Sequence, residues 1–396
     1  MGGKGIAVQL FSALVLLAGL LATEKNYAQS NADSVVSAAD LPNRYVHVLK
    51  GKTVGVVANQ SARVGNTMLV DYLLSQGIQV VRVFSPEHGF GGKAEAGQHL
   101  ADSTYPGTNL ALISLYGKKK MPSADDLQGI QWLVFDMQDV GVRFYTYLST
   151  LYHVLQSAAL HKTNVMILDR PNPNGFYVDG PVLADTTLRS FVGVIPVPVV
   201  HGCTLGELGL MIKGQGWIKH AEHLELTVVP CRGYYHSVLW TPSLPPSPNL
   251  RNQRSILLYP TLCLFEGTPL SVGRGTNHPF EAIGHPSYLG LSFRFEPGPG
   301  PSLHAGKTCQ GWDFRAVPID TLYRHPRLRL DWIAEAYARF PEKERFFSGF
   351  FNKLAGNRTL QEQLERGASE QEIRASWAPE LDAYKRIRKQ YLLYPD

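Results

Sequence analysis

Polar side chains gather directly after four of the short apolar runs in this sequence. Asn59 and Gln60 follow the first of these runs, and Glu87 and His88 follow the second. The polar residues after the other two runs are Asp136, Asp139, Arg143, Tyr145, Asp169, Arg170 and Asn172. If the runs are parallel strands, their carboxyl ends meet at one edge of a sheet, where open α/β proteins bind ligands. Carboxylates, amides and guanidinium groups at one edge predict a site for a polar ligand.

A further group of polar residues lies in the C-terminal half of the sequence. Glu266 precedes Arg274, and glycines on both sides of Arg274 would let the backbone approach a ligand closely. The same spacing also fits a β-bulge or a hairpin. Histidines are scattered along the chain, and only His88 and His201 lie beside other candidate site residues.

Familiar cofactor-binding motifs are incomplete. Residues 89–94 fit a loose dinucleotide pattern but open no evident helix, and residues 305–308 lack the first glycine of a phosphate-binding loop, where Pro301 stands. The sequence contains neither a His-Glu-x-x-His helix nor a Cys-x-x-Cys pair. We therefore expect no metal and no cofactor. The net charge of +5 is too small to indicate a nucleic acid partner.

The apolar runs alternate with segments of helical spacing. The predicted strands are Thr53–Ala58, Ile78–Phe84, Leu110–Leu115, Ile130–Phe135 and Val165–Leu168. They lack the strict alternation of a half-exposed strand, which is typical of parallel sheets covered on both faces. We therefore predict an α/β fold, with a Rossmann-like, doubly wound parallel sheet over residues 46–240.

The character of the sequence changes after residue 240. Residues 241–249 contain four prolines and cannot form the interior of a helix. We place a domain boundary there and predict a smaller α+β domain over residues 241–396 that completes the site. The helices predicted in its last part are Leu328–Phe340, Thr359–Arg366, Ser369–Trp377 and Glu380–Tyr391, and Ser369 with Glu372 predicts a capping box.

The N-terminal residues have the pattern of a secretory signal peptide. Lys4 precedes an apolar run over Ile6–Ala22, and Ala28 ends a possible cleavage site. A membrane anchor is the alternative, although about 17 residues is the lower limit for spanning a bilayer. We predict a signal peptide over 1–28, a linker over 29–45, and a bacterial protein that is periplasmic or secreted, with no stable membrane insertion after cleavage. The cysteines expected to be buried free thiols are Cys203, Cys231, Cys263 and Cys309.

Several segments together resemble one family, the exo-β-N-acetylmuramidases, long catalogued as a bacterial domain of unknown function. The matching segments are VVANQSA (56–62), FSPEHGFGG (84–92), VFDMQDVGVRFYTYLSTL (134–151), LDRPNPNG (168–175), VHGCTLGELG (200–209), PPSPNL (245–250) and EGTPLSVGRGTNHPFE (266–281). The C-terminal helical residues are similar to the family as well. The departures are small, because Cys203 replaces an apolar residue such as Met and Pro269 replaces Asn.

This resemblance implies a glycoside hydrolase that removes N-acetylmuramic acid from the non-reducing end of peptidoglycan fragments, at a site between two domains. Glu87 matches the expected catalytic carboxylate, and cleavage of a glycosidic bond needs an acid for the leaving oxygen. We assign His88, Asp136 and Asp139 to catalysis beside it. The expected substrate-binding residues are Asn59, Gln60, Arg143, Tyr145, Asp169, Arg170, Asn172, His201, Asn249, Glu266 and Arg274.

The second carboxylate has several candidates. Asp136 and Asp139 are the nearest by topology, whereas Glu266 and Glu281 could approach from the other domain. The acetamido group of the substrate could also assist, and a second carboxylate would then orient the sugar.

A cation is expected to bind the lactyl carboxylate that distinguishes muramic acid from N-acetylglucosamine. Arginine suits this task because its guanidinium can bind a carboxylate through two parallel hydrogen bonds. Arg143, Arg170 and Arg274 are the candidates, unless ion pairs with Asp136 or Asp169 engage one of them.

Two other classes of protein fit the same sheet. A non-catalytic periplasmic protein that binds muropeptides or sugars would bind a muramyl ligand and release no sugar. A nucleotide-dependent enzyme is disfavoured because no complete phosphate loop is present.

Overall fold

A seven-stranded sheet forms the centre of the protein in the computed structural model, which describes residues 35–95, 97–98, 100–299 and 302–396. The predicted signal peptide lies outside these residues. The strands are β1 (Thr53–Ala58), β2 (Arg63–Val64), β3 (Thr67–Met68), β4 (Gln79–Ser85), β5 (Ser103–Thr104), β6 (Ala111–Ser114), β7 (Trp132–Asp136), β8 (Asn164–Leu168), β9 (Asp179–Val182), β10 (Pro198–Val200), β11 (Leu226–Val229), β12 (Ala282–His285), β13 (Phe293–Phe295) and β14 (Cys309–Asp313). The large sheet has the order β11-β8-β7-β1-β4-β6-β5, and only β5 pairs antiparallel within its described strands.

Both faces of the large sheet are buried. In β1, Val54, Val56 and Ala58 pack into one apolar cluster, while Val57 packs into a second cluster on the opposite face. A strand that is buried on both sides has no reason to alternate apolar with polar residues. The predicted parallel α/β sheet is therefore confirmed, and all five predicted strands are present.

Helices cover the sheet and build most of the C-terminal part. They are α1 (Val46–Leu49), α2 (Leu69–Ser75), α3 (Ala124–Leu127), α4 (Tyr147–His161), α5 (Leu205–Gly214), α6 (Gln253–Leu262), α7 (Ile319–Arg324), α8 (Leu330–Arg339), α9 (Gly349–Ala355), α10 (Thr359–Glu365) and α11 (Glu370–Arg388).

One continuous helix, α11, replaces the last two predicted helices. It passes through Pro379 because Ile373, Trp377, Leu381 and Tyr384 form one buried face on both sides of the proline. Tertiary packing thus outweighs the hydrogen bond that proline removes. Half of the predicted cap forms, since the Ser369 side chain accepts from the backbone N–H of Glu372, while the Glu372 carboxylate pairs with Arg366.

The C-terminal part adds a small antiparallel sheet in the order β12-β14-β13. Ile283 of this sheet belongs to the apolar cluster on one face of the large sheet, whereas Ala282, Phe295 and Cys309 form a separate apolar cluster. Aromatic contacts cross the boundary, because the ring centroid of Tyr259 lies 5.4 Å from that of Phe144 and 4.8 Å from that of Phe280. These three rings form the floor of the cavity described below.

Residues 35–45, within the predicted linker, pack against the first domain. They contain two 3₁₀ turns, Ala38–Asp40 and Pro42–Arg44, and the fully buried Tyr45 donates a hydrogen bond to the carbonyl of Ala39 at 2.9 Å. No helix within the described ranges combines the length and apolar composition needed to cross a membrane. The four cysteines are buried and free, as predicted.

Candidate active site

A cavity of about 540 Å³ opens between the two halves of the protein, beyond the carboxyl ends of β4 and β6. The side chains predicted from the sequence that line it are Glu87, His88, Tyr145, Asn249, Glu266 and Arg274. Buried rings form its floor, whereas Leu303 and Phe350 at its mouth are 48% and 39% exposed. A pocket with a closed floor and an open mouth suits the end of a chain-like ligand.

Glu87 has the most defined environment of the carboxylates in the cavity. It follows β4 by two residues and is only 6% exposed. Its Oε1 accepts from the backbone N–H of Gly97 at 3.0 Å, and its Oε2 accepts from Thr146 Oγ1 at 2.8 Å. The hydroxyl of Tyr116 donates a further hydrogen bond to it. Donors from three segments therefore hold this carboxylate in one orientation.

His88 shapes the loop that covers Glu87. Its backbone is left-handed, with φ of 69°, and its Nδ1 lies 2.7 Å from the carbonyl oxygen of Ala94. This contact closes the loop, from which Gly97 reaches the Glu87 carboxylate. His88 lines the cavity, so a role beside Glu87 stays a prediction.

Sequence reasoning missed Tyr116, Thr146 and Glu95, which also line the cavity. Burial, followed by the negative charge and hydrogen bond of Glu87, raises the pKa of Tyr116 far above its ordinary value. Tyr116 follows β6 in the way that Glu87 follows β4, so the rule that polar strand ends mark the site would have found it.

The guanidinium of Arg143 donates hydrogen bonds to backbone carbonyls of the protein and does not face the cavity. It is fully buried and donates to the carbonyls of Pro181 at 2.8 Å, Val197 at 2.8 Å and Leu354 at 2.7 Å. Burial lowers the pKa of its guanidinium to about 9. Arg143 thus joins the first domain to the C-terminal helices, because buried carbonyls need donors.

The carboxylates at the end of β7 and directly after it, Asp136 and Asp139, lie outside the cavity lining. Asp136 forms an ion pair with Arg170 through two hydrogen bonds, and Arg170 Nη2 lies 2.9 Å from Asp136 Oδ2. Arg170 is therefore the candidate arginine that an ion pair with an aspartate engages. Asp139 accepts from the backbone N–H of Gly141 at 2.6 Å, and burial raises its pKa to about 7. His201 Nε2 is 4.0 Å from Asp139, and burial lowers the pKa of His201 to about 3.

The other predicted binding residues hold loops together. Asp169 accepts from Thr204 Oγ1 at 2.6 Å and from the backbone N–H of Gly206 at 2.8 Å, at the start of α5. Three amides serve neighbouring segments: Asn172 donates to the carbonyl of Cys203, Gln60 to that of Pro245, and Asn59 accepts from Ser61. The backbone N–H and C=O groups of the loops at the strand ends need hydrogen-bond partners. These side chains act as such partners and do not line the cavity.

Arg274 is the arginine that lines the cavity. Its Nε donates to Glu266 Oε1 at 2.6 Å, and its guanidinium lies 4.9 Å from the centroid of the Phe280 ring. Burial lowers the pKa of Arg274, but the charge and hydrogen bond of Glu266, with smaller contributions from its neighbours, raise this pKa above its ordinary value. Its side chain is 25% exposed, so a ligand in the cavity can meet a fixed, permanently charged fork.

The part of the cavity lining that the structure describes contains no group of three metal ligands. Among the described residues, His220, Glu222 and His223 are the group of three that could hold an ion, and none of them lines the cavity. We therefore expect that dialysis against a chelator leaves the catalytic rate unchanged, measured on the same preparation before and after treatment. A loss of activity that zinc or calcium restores would contradict this expectation.

Two family models together match nearly all of the described chain. The model described as "Exo-beta-N-acetylmuramidase NamZ, N-terminal" matches residues 54–254, and the corresponding C-terminal model matches residues 257–394. The proline-rich segment at 241–249, where we predicted a domain boundary, falls within the first match and contributes Ser247 and Asn249 to the cavity.

Individual relatives agree with these models. The peptidoglycan β-N-acetylmuramidase NamZ of Bacillus subtilis (strain 168) is 35% identical over 375 residues, which cover 88% of this chain and 89% of that protein. The crystal structure of a DUF1343 family protein from Bacteroides fragilis NCTC 9343 has a TM-score of 0.85 and 38% identity, covering 91% of this chain and 99% of that one. A second such protein from the same organism, at 24% identity and a TM-score of 0.78, covers the same shares and supports the fold. The chain therefore belongs to the NamZ family of exo-β-N-acetylmuramidases.

Proposed function

We propose that the cavity between the two halves is the site where this exo-β-N-acetylmuramidase releases N-acetylmuramic acid from the non-reducing end of peptidoglycan fragments. The observation that carries the assignment is Glu87, a carboxylate held at the cavity wall by Gly97, Thr146 and Tyr116. Its three hydrogen bonds orient it before the substrate arrives, and such preorganisation lowers the cost of reaching the transition state.

Glu87 acts as the general acid in this proposal. It gives its proton to the glycosidic oxygen as the bond to the anomeric carbon breaks, so that the leaving sugar departs as a neutral alcohol. Tyr116 and Thr146 position the carboxyl group without taking the proton. Burial supports this division of roles for Tyr116, because it raises the pKa of the phenol and keeps its proton in place.

The second carboxylate comes from the residues that face the same cavity. Glu95 and Glu266 line it, whereas Asp136 is paired with Arg170 and Glu281 accepts from Asn252 Nδ2 at 2.5 Å. Glu266 is engaged by Arg274, which leaves Glu95 as the better candidate to act on water. If the substrate's own acetamido group assists, the second carboxylate orients the sugar and does not act on water.

Arg274 binds the lactyl carboxylate of the substrate in this proposal. Glu266 holds its Nε, so the outer nitrogens of the fork have a set direction. A carboxylate that binds them forms charge-assisted hydrogen bonds, which are about twice as strong as neutral ones. N-acetylglucosamine lacks the lactyl group and would leave Arg274 without this partner.

The direct test is to incubate the purified protein with a disaccharide of N-acetylmuramic acid linked to N-acetylglucosamine. We expect equimolar release of both sugars, detected by mass spectrometry, and much slower release from a disaccharide with N-acetylglucosamine at the non-reducing end. Binding of the muramyl disaccharide without any release would instead identify a sugar-binding protein. Products cut from the middle of longer glycans would contradict the exo mode.

We also propose that the protein is exported from the bacterial cell, which the apolar run over Ile6–Ala22 supports. The mature chain should begin after Ala28 when the full sequence is expressed, as N-terminal sequencing of the extracytoplasmic fraction would reveal. A Leu16→Arg variant should remain uncleaved in the cell, because an arginine within the apolar run disfavours insertion of that run into the membrane during export. Retention of the uncleaved wild-type chain in the cytoplasm would contradict export.

A further inference from the structure

A group of exposed side chains lies at the opposite edge of the large sheet from the catalytic cavity. Glu222 and His223 lie in the 3₁₀ turn Ala221–His223 between α5 and β11, and His220 directly precedes it. The side chains of His220, Glu222 and His223 are 53%, 68% and 44% exposed. The turn leads into the amino end of β11, whereas the cavity lies beyond the carboxyl ends of the parallel strands. These residues take no part in the proposed mechanism.

The nitrogen and oxygen atoms of this group have the separations of metal ligands. His220 Nδ1 lies 3.6 Å and His223 Nε2 lies 3.7 Å from the same oxygen, Glu222 Oε1. Both distances exceed those of good hydrogen bonds. Ligands at about 2.0–2.1 Å from a tetrahedral zinc ion lie roughly 3.4 Å from one another. All three ligand atoms are within 4.8 Å of each other, so small side-chain rotations would complete the set.

The imidazole rings of the two histidines lie parallel to each other. His220 adopts a left-handed conformation with φ of 60°, directly before the turn. The two imidazole planes differ by only 3°, with ring centroids 5.5 Å apart. Exposed ion pairs between a carboxylate and protonated histidines would also place these atoms near each other, but such pairs contribute little stability. A weak ion pair does not require the two imidazole rings to lie parallel, as they do here.

We propose that His220, Glu222 and His223 form a surface site for a divalent transition metal of the zinc type, separate from catalysis. Two imidazole nitrogens and one carboxylate oxygen suit Zn²⁺, Ni²⁺ or Cu²⁺ and are a poor set for Mg²⁺ and Ca²⁺, which prefer oxygen ligands. Because the three ligands are exposed, water fills the remaining coordination positions. Binding to the folded turn stabilises the folded chain by mass action.

The test is calorimetric titration of ZnCl₂ into the full chain, freed of any histidine tag and stripped with a chelator. At pH 7.5 we expect one zinc ion per chain, a rise in Tm and no response to MgCl₂. At pH 5.5 binding should weaken strongly, because protons compete for the histidines. His223→Ala and Glu222→Gln should each reduce the zinc affinity at least tenfold, by analogy with the roughly 10- to 100-fold losses seen around metal sites.

His325→Ala is the matched control, since His325 is another exposed histidine, in the C-terminal domain. This variant should bind zinc like the wild type. All three substituted side chains are exposed, so the variants should fold, and circular dichroism would check this. Zinc binding that is absent in the wild type, or unchanged in His223→Ala, would overturn the proposal. The readout is independent of sugar release, so the catalytic proposal can stand or fail separately.

Discussion

Glu87→Gln should abolish most of the release of N-acetylmuramic acid, lowering kcat by roughly a hundredfold or more. The amide keeps the shape of the carboxyl group but cannot donate an acidic proton to the glycosidic oxygen. The glutamine carbonyl oxygen can replace Oε1 and accept from the backbone N–H of Gly97, and its amide N–H can donate to the hydroxyl oxygen of Thr146 in place of Oε2, so the loop over the cavity should stay in place. We therefore expect KM and Tm close to those of the wild type, measured on the muramyl disaccharide.

Two companion variants make this result specific. Glu380→Gln changes an exposed glutamate on α11 and should leave kcat unchanged. Thr146→Val removes one of the donors to Glu87 and should lower kcat by a smaller factor than Glu87→Gln does. If Glu87→Gln retained near wild-type turnover, Glu87 would not be the acid, and Glu95 would be the next carboxylate of the cavity to test.

Arg274→Ala should narrow the preference for muramic acid over N-acetylglucosamine at the non-reducing end. Loss of a partner for a buried charge costs about 2–5 kcal/mol. The Arg274 side chain is 25% exposed, so we expect the lower end of that range. About 2 kcal/mol corresponds to roughly a 30-fold loss in kcat/KM for the muramyl substrate. The rate on a glucosaminyl substrate, however low, should change much less.

The controls separate charge from geometry. Arg274→Lys keeps the positive charge but loses the planar fork, so it should restore only part of the discrimination. Arg294→Ala removes an exposed arginine from β13 that does not line the cavity, and should leave both substrates unaffected. If Arg274→Ala lowered both rates equally together with Tm, Arg274 would be a structural residue. Backbone amides or hydroxyl groups would then bind the lactyl group.

The strands and the edge of the sheet that carries the site were predictable because their signals are local. Each apolar run that is buried on both faces differs in composition from its neighbours, and β1 has the predicted bounds, Thr53–Ala58. The end of a helix is harder to predict from the sequence. The helix α11 continues through Pro379 because its apolar face packs against residues that are distant in the sequence. Local sequence at Pro379 predicts a break, and long-range packing overrides it.

The sequence by itself determined the α/β class, the polar strand ends and the position of Glu87 beyond β4. Only the tertiary structure decided which polar side chains face the cavity. Arg143 and Arg274 are equally good lactyl candidates in the sequence, yet Arg143 binds carbonyls that lie 38, 54 and 211 residues away along the chain. Tyr116 joins Glu87 only because β6 pairs with β4. Buried polar groups must find partners wherever the fold brings them, and those partners are invisible until distant segments have packed together.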